Sequence, residues 1–280
     1  MAELVRVELD EEGVAFLTLD NPPLNLVTLE LTRRLEEALD RLAADPACRV
    51  LVVTGAGERA FCAGSDVEEF PDLFAPGRAV AVKMVRENRV WSKLDHFPAP
   101  TIAAVRGLAY GGGLELAVAC DLILLEEGTR LALPEIDLGL FPGAGGTVRV
   151  TRRIGEGRAK EMMFTGAPID AATALAWGLA NRVVPPGRVL EEARALARRL
   201  AAKPTMALRL CKEAIDQAFD LDESAAIERV LAAIGRAFEG PEVREGVAAF
   251  LEKRPPRWRR AGLDATTRRH HMSDSFRRER

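Results

Sequence analysis

Apolar and polar residues alternate along LVRVELD and again along VAFLTLD, and this period of two predicts a pair of strands. Glu11-Glu12-Gly13 between them has turn chemistry, so a hairpin is expected, and Asn21-Pro22-Pro23 ends that unit. From Leu29 to Leu42 leucines and alanines recur at helical spacing, and RVLVVTG then reads as a buried strand. The pattern returns: a polar amphipathic stretch over residues 78–94, the strand TIAAVRG, a short helix opening on glycines, and the strand DLILLEE. Parallel neighbours need long crossovers, so this repetition predicts an α/β architecture with parallel strands. From about Val189 the character changes to three or four helical patterns with no strand between them, a helical C-terminal subdomain. The expected organisation is a core over residues 1–195, a helical subdomain over 196–258 and a basic, flexible tail over 259–280.

Composition narrows the function classes. Nearly half of the 280 residues are hydrophobic, enough for a large core, and the chain reads as a soluble globular protein. The 39 basic and 42 acidic residues almost cancel, so no global field marks a nucleic-acid or membrane binder. Cys48, Cys62, Cys120 and Cys211 are widely spaced, and with only His96, His270 and His271 beside them they make no metal-site pattern. They read as reduced thiols of a cytoplasmic protein. The N-terminal MAELVRVELD lacks a basic, then apolar, leader, and no run approaches the ~18 apolar residues of a membrane span, so neither export nor membrane insertion is expected. The arginine-rich tail after Trp258 leaves RNA binding as a rival reading, recognisable by steep salt dependence.

Two glycine-bearing turns carry the candidate chemistry. Gly111, Gly112 and Gly113 follow a strand and open a helix, where backbone N–H groups lack intrahelical acceptors. Ala63, Gly64 and Ser65 form a second exposed-backbone turn a few residues past RVLVVT. If the turns converge, their N–H groups can stabilise an oxygen that becomes negative during a reaction; tight packing of helix on strand is the alternative reading of each. Glu115 stands among Leu114, Leu116, Ala117 and Val118, where a carboxylate has a raised pKa suited to proton transfer. Glu135 follows Pro134 among apolar residues, either as a second functional acid or as a helix opener. Two motifs point elsewhere. GAGERA at 55–60 has dinucleotide-fingerprint spacing but no helix after it, and PGAGGT at 142–147 can cradle an anion but lacks the P-loop lysine.

AFCAGSDVEEF, AAVRGLAYGGGLELAVACDLILL, PEIDLGLFPGAGGTVRVTRRIG and EGVAAFLEKR, in this order, resemble the enoyl-CoA hydratase/isomerase (crotonase) superfamily, over about residues 3–258. The resemblance implies an α/β fold, a crotonase-like spiral of ββα units with a helical C-terminal subdomain that drives trimerisation, commonly as a dimer of trimers. It also implies an acyl-CoA thioester substrate and no cofactor beyond the CoA of that substrate. Carried over by position, the Ser65 and Gly112 N–H groups become an oxyanion hole, and Glu115 and Glu135 the acid–base pair that adds water across a trans-2-enoyl-CoA. Arg59, Ala63, Asp66, Val67, Phe238 and Lys253 become CoA-binding candidates, the last two by way of a neighbouring subunit. A Δ3,Δ2-enoyl-CoA isomerase with one working glutamate, or other acyl-CoA chemistry of the family, is the alternative; the sequence leaves open which glutamate is base, while the resemblance favours Glu115 as water activator and Glu135 as proton donor. Ser65 stands where many hydratases carry alanine; only its backbone N–H is required.

Overall fold

A computed structural model describes residues 3–258. The basic tail therefore lies outside the described residues, and the chain divides after Arg198 into two compact units.

The first unit opens with the expected hairpin, strands β1 (Val5–Leu9) and β2 (Val14–Leu19), paired antiparallel. Helix α1 (Leu29–Ala44) starts where the Thr28 side chain accepts the Leu31 N–H. It buries Leu31, Leu35, Leu39 and Leu42 along one face, each worth about 1.5–3 kcal/mol. That crossover delivers the chain to β3 (Val50–Gly55), which lies parallel to β2 and is buried at every position. A strand covered on both faces is uniformly apolar, which is why RVLVVTG shows no alternation.

From β3 onward the chain advances two sheets at once. After β3 comes the three-residue strand β4 (Ala60–Cys62), then a short 3₁₀ helix (Val67–Leu73), a π-helical turn (Val80–Met84) and helix α2 (Val85–Asp95). Next are β5 (Thr101–Val105), β6 (Leu108–Tyr110) and helix α3 (Gly112–Val118). Then follow β7 (Leu122–Glu126), β8 (Arg130–Ala132), a 3₁₀ helix (Pro134–Leu138) and helices α4 (Gly146–Ile154) and α5 (Glu156–Thr165). β3, β5 and β7 are parallel neighbours in a six-stranded sheet, while β4, β6 and β8 are parallel neighbours in a four-stranded one. Each strand–strand–helix repeat thus adds one strand to each sheet, and the expected spiral of ββα units is the observed architecture. Strand β9 (Ile169–Asp170), helix α6 (Ala171–Trp177) and strand β10 (Arg182–Val184) complete both sheets, and helix α7 (Val189–Ala201) follows.

The second unit holds helices α8 (Thr205–Gln217), α9 (Glu223–Glu239) and α10 (Pro241–Leu251). Their starts are tied internally. Asp222 caps α9 by accepting the Ala225 N–H, and the Glu242 carboxylate accepts the Met206 N–H at the head of α8. Among the described residues no helix is long and apolar enough to cross a membrane. Among the described residues no disulfide forms, and Cys48, Cys62 and Cys120 are buried.

Candidate active site

The two glycine-bearing turns do converge, and the sheet topology explains why. β4 and β6 are parallel neighbours, so the turns leaving their C-terminal ends emerge side by side. Only glycine permits the resulting approach. A Cβ on Gly113 would stand 2.1 Å from the Cys62 carbonyl oxygen, and one on Gly64, at φ +100°, 3.1 Å from that of Tyr110. A Cβ on Gly112 would lie 3.8 Å from Ser65 Oγ, so the two expected donors are neighbours in space.

The backbone leaves their N–H groups available. The first hydrogen bond of α3 runs from the Glu115 N–H to the Gly111 carbonyl, so the Gly112 N–H has no intrahelical acceptor. Ser65 is bridged to Val27, but the bonds of that bridge belong to its neighbours: the Val27 N–H donates to Gly64 and the Asp66 N–H to Val27. In an extended chain successive N–H groups alternate sides, which turns that of Ser65 away from the bridge.

Glu115 is 3% exposed, and its Oε1 accepts two N–H bonds of 2.8 Å, from Ala144 and Gly146. The anion-cradling turn read at PGAGGT therefore holds a carboxylate of the protein itself. A Cβ on Gly146 would sit 2.9 Å from that Oε1, so glycine is what lets the backbone reach it. Burial lifts the Glu115 pKa to about 7, aided by the charges of Glu135 and Glu87 and opposed by the two backbone donors. Glu135 is half-buried in the 3₁₀ helix that Pro134 opens, and burial raises its pKa too. Its Oε1 lies 3.1 Å from where a Gly111 Cβ would be, and its Oε2 is buried without a hydrogen-bond partner.

Ser65, Gly112, Glu115 and Glu135 line one cavity of about 210 Å³. The rest of its wall is largely apolar, with Phe70, Leu73 and Phe74 from one segment, Met84 from the π-helical turn and Leu140 and Phe141 from the loop after Glu135. Sequence reasoning missed two charged wall residues, Lys83 and Glu87. Their signal was present as two ionisable residues four apart on the amphipathic stretch, but such a pair ordinarily marks a solvated face.

The remaining candidates lie elsewhere. Arg59 is exposed, and its carbonyl accepts the Leu108 N–H. Ala63 is half-buried and donates its N–H to Leu24. Asp66 caps the 3₁₀ helix by accepting the Glu68 N–H, and Val67 begins that helix half-exposed. Ala63 belongs to the turn that carries Ser65 and the other three flank it, and none of the four lines the cavity. Phe238 on α9 and Lys253 after α10 are exposed residues of the second unit. The fingerprint at 55–60 runs into β4 instead of a helix, so the dinucleotide reading has no structural basis.

Residues 10–261 match the enoyl-CoA hydratase/isomerase family. A probable enoyl-CoA hydratase of Mycobacterium bovis is 39% identical over 91% of this chain and 98% of its own length. A short-chain-enoyl-CoA hydratase of Clostridium acetobutylicum is 34% identical over 90% and 97%. The crystal structure of an enoyl-CoA hydratase from Bacillus anthracis superposes with a TM-score of 0.87 at 35% identity, covering 91% of this chain and 99% of that one. With its ββα spiral and a match spanning nearly its whole length, the chain belongs to the enoyl-CoA hydratase/isomerase family.

Proposed function

We propose that this protein is a cytoplasmic enoyl-CoA hydratase that adds water reversibly, in syn fashion, across the double bond of a trans-2-enoyl-CoA. The observation that carries the reading is the meeting of both glutamates with Ser65 and Gly112 in one cavity. The thioester oxygen accepts the Ser65 and Gly112 N–H groups, which gain strength as the carbonyl becomes an enolate. Glu115, ionised, takes a proton from water as the water oxygen bonds to C3. Glu135, protonated, gives its proton to C2 of the enolate, and the two carboxyls titrate as a coupled pair. No cofactor is needed, because one proton leaves water and one reaches carbon, and the cycle closes when the proton now on Glu115 is returned to Glu135 within the coupled pair. Glu115 is suited to the base role by its backbone donors, which hold Oε1 in place while burial keeps the group basic.

Arg59, Ala63, Asp66 and Val67 are proposed to contact the CoA moiety, with Phe238 and Lys253 reaching it from a neighbouring subunit of a trimer or dimer of trimers. Glu115→Gln and Glu135→Gln should each lower kcat for crotonyl-CoA hydration by about 10²–10⁴-fold, followed as loss of the conjugated thioester absorbance. Near wild-type turnover in Glu135→Gln, with a non-conjugated enoyl-CoA as the better substrate, would replace hydration by one-base isomerisation.

A further inference from the structure

A wall that holds only an alkyl chain has no use for charge, yet Lys83 (1% exposed) and Glu87 (3% exposed) line the same cavity as Glu115 and Glu135. Lys83 comes from the π-helical turn Val80–Met84 and Glu87 from the first turn of α2, with Nζ 2.8 Å from Glu87 Oε1. A π turn is a rare distortion that concentrates at functional sites, and here it lies one turn before the acid it pairs. Despite that short separation, neither Nζ nor Glu87 Oε1 has a hydrogen bond of good geometry. An ammonium carries three donors, so Lys83 keeps donor capacity that nothing in the wall uses. The Glu69 carboxylate approaches Nζ at 3.8 Å, but its oxygens already accept the Leu29 N–H at 3.1 and 3.2 Å. A buried ion pair is seldom more stable than apolar residues of equal volume, so stability alone does not account for two charges in an acyl pocket.

We propose that Lys83 and Glu87 make this pocket selective for an acyl-CoA whose acyl chain carries a neutral hydrogen-bonding oxygen, a hydroxyl or a ketone, in preference to a plain alkyl chain. The inference rests on the acyl-CoA reading of the same cavity. The Lys83 ammonium donates to the substituent oxygen, and Glu87 accepts from a hydroxyl hydrogen. Phe70, Leu73 and Phe74 line the same cavity and supply apolar surface for the methylenes. A carboxylate-ended chain is disfavoured, because the cavity already holds three carboxyls, Glu87, Glu115 and Glu135, and one ammonium.

The test is calorimetric binding of saturated acyl-CoAs to the full chain, which reads the pocket without asking it to catalyse. ω-Hydroxyhexanoyl-CoA should bind about tenfold or more tightly than hexanoyl-CoA, the scale of one or two hydrogen bonds to buried groups, and adipoyl-CoA should bind most weakly. The Lys83→Met/Glu87→Leu double variant should reverse the first preference. Equal affinity for hexanoyl-CoA and its hydroxy analogue in the wild type, tightest binding of adipoyl-CoA, or an unchanged order in a folded double variant would each overturn the proposal. If the double variant does not fold, the wild-type order decides alone. Crotonyl-CoA hydration is assayed separately: a protein that binds in the expected order but hydrates nothing sinks the hydratase reading and leaves the selectivity standing.

Discussion

The Glu115 carboxyl is taken out of water, faces a second carboxyl, and still accepts two N–H bonds, from Ala144 and Gly146. Burial is the largest of these influences and carries the pKa from 4.5 to about 7. The unfolded carboxyl has already ionised across that window while the folded one keeps its proton, so stability falls as pH rises from 4.5 to 7. The difference between those two values corresponds to about 3 kcal/mol. Glu115→Gln removes the ionisation, so urea unfolding should show the variant gaining on the wild type by up to that amount as pH increases through the window. A constant gap between the two proteins at all pH values would mean that Glu115 titrates in the folded protein as it does in the unfolded chain. If Glu115 is the base of the proposed mechanism, the same titration should set its acid limb, with hydration declining below about pH 7 as Glu115 is protonated. This residue was legible in the sequence, because an acid amid Leu114, Leu116 and Val118 has no polar neighbours with which to share a solvated face. Glu87 was not: it lies among Arg86, Asn88 and Arg89, and only the fold turns it inward.

Legibility at the scale of elements followed length and burial. α1 and β3 were readable because each has an unbroken apolar signal over several residues, whereas β4, β6 and β8 are three residues long and give periodicity nothing to act on. Those short strands nevertheless position the site, since the ends of β4 and β6 carry both glycine-bearing turns. α4, α5 and α6 also went unread, each short and lying between glycines such as Gly145, Gly155, Gly166 and Gly178, which occupy positive-φ conformations at their ends. The turn that grips Glu115 has its own support from α2: Asn88 Nδ2 donates to the Gly143 carbonyl at 2.7 Å and to that of Met84 at 2.9 Å. Asn88 touches no reacting atom in the proposed mechanism, so it acts as a positioning residue. Asn88→Ala should lower kcat about tenfold through a loosened turn while costing only about 1 kcal/mol of stability. The variant's acid-limb pKa should shift as well, because the Ala144 and Gly146 donors relax with the turn. Unchanged kcat and pH profile would assign the bond a purely structural role.

For the whole molecule, the question is what covers the second unit. On α9, Ile227, Val230, Leu231, Ile234 and Phe238 recur at spacings of three and four and are 40–67% exposed in the single chain. Phe250 and Leu251 at the end of α10 are more exposed still. An apolar stripe on one helical face is the pattern of a helix made to be covered, and water is a poor cover for it. A second copy of this chain is the occupant that the proposed trimer supplies, and burial between copies requires no further partner. Light scattering should then give a mass of three or six chains, and Leu231→Asp with Ile234→Asp, which places charge in the stripe, should yield smaller species. The two proposals about this unit also constrain each other. If Phe238 and Lys253 reach the CoA of a neighbouring subunit, dissociation must raise KM for the acyl-CoA even though Glu115 and Glu135 stay together within one chain. A dissociated variant that keeps its wild-type KM would still leave the stripe accounted for by oligomerisation and would remove both residues from CoA binding. A wild type that runs as a single chain would remove the subunit contact itself.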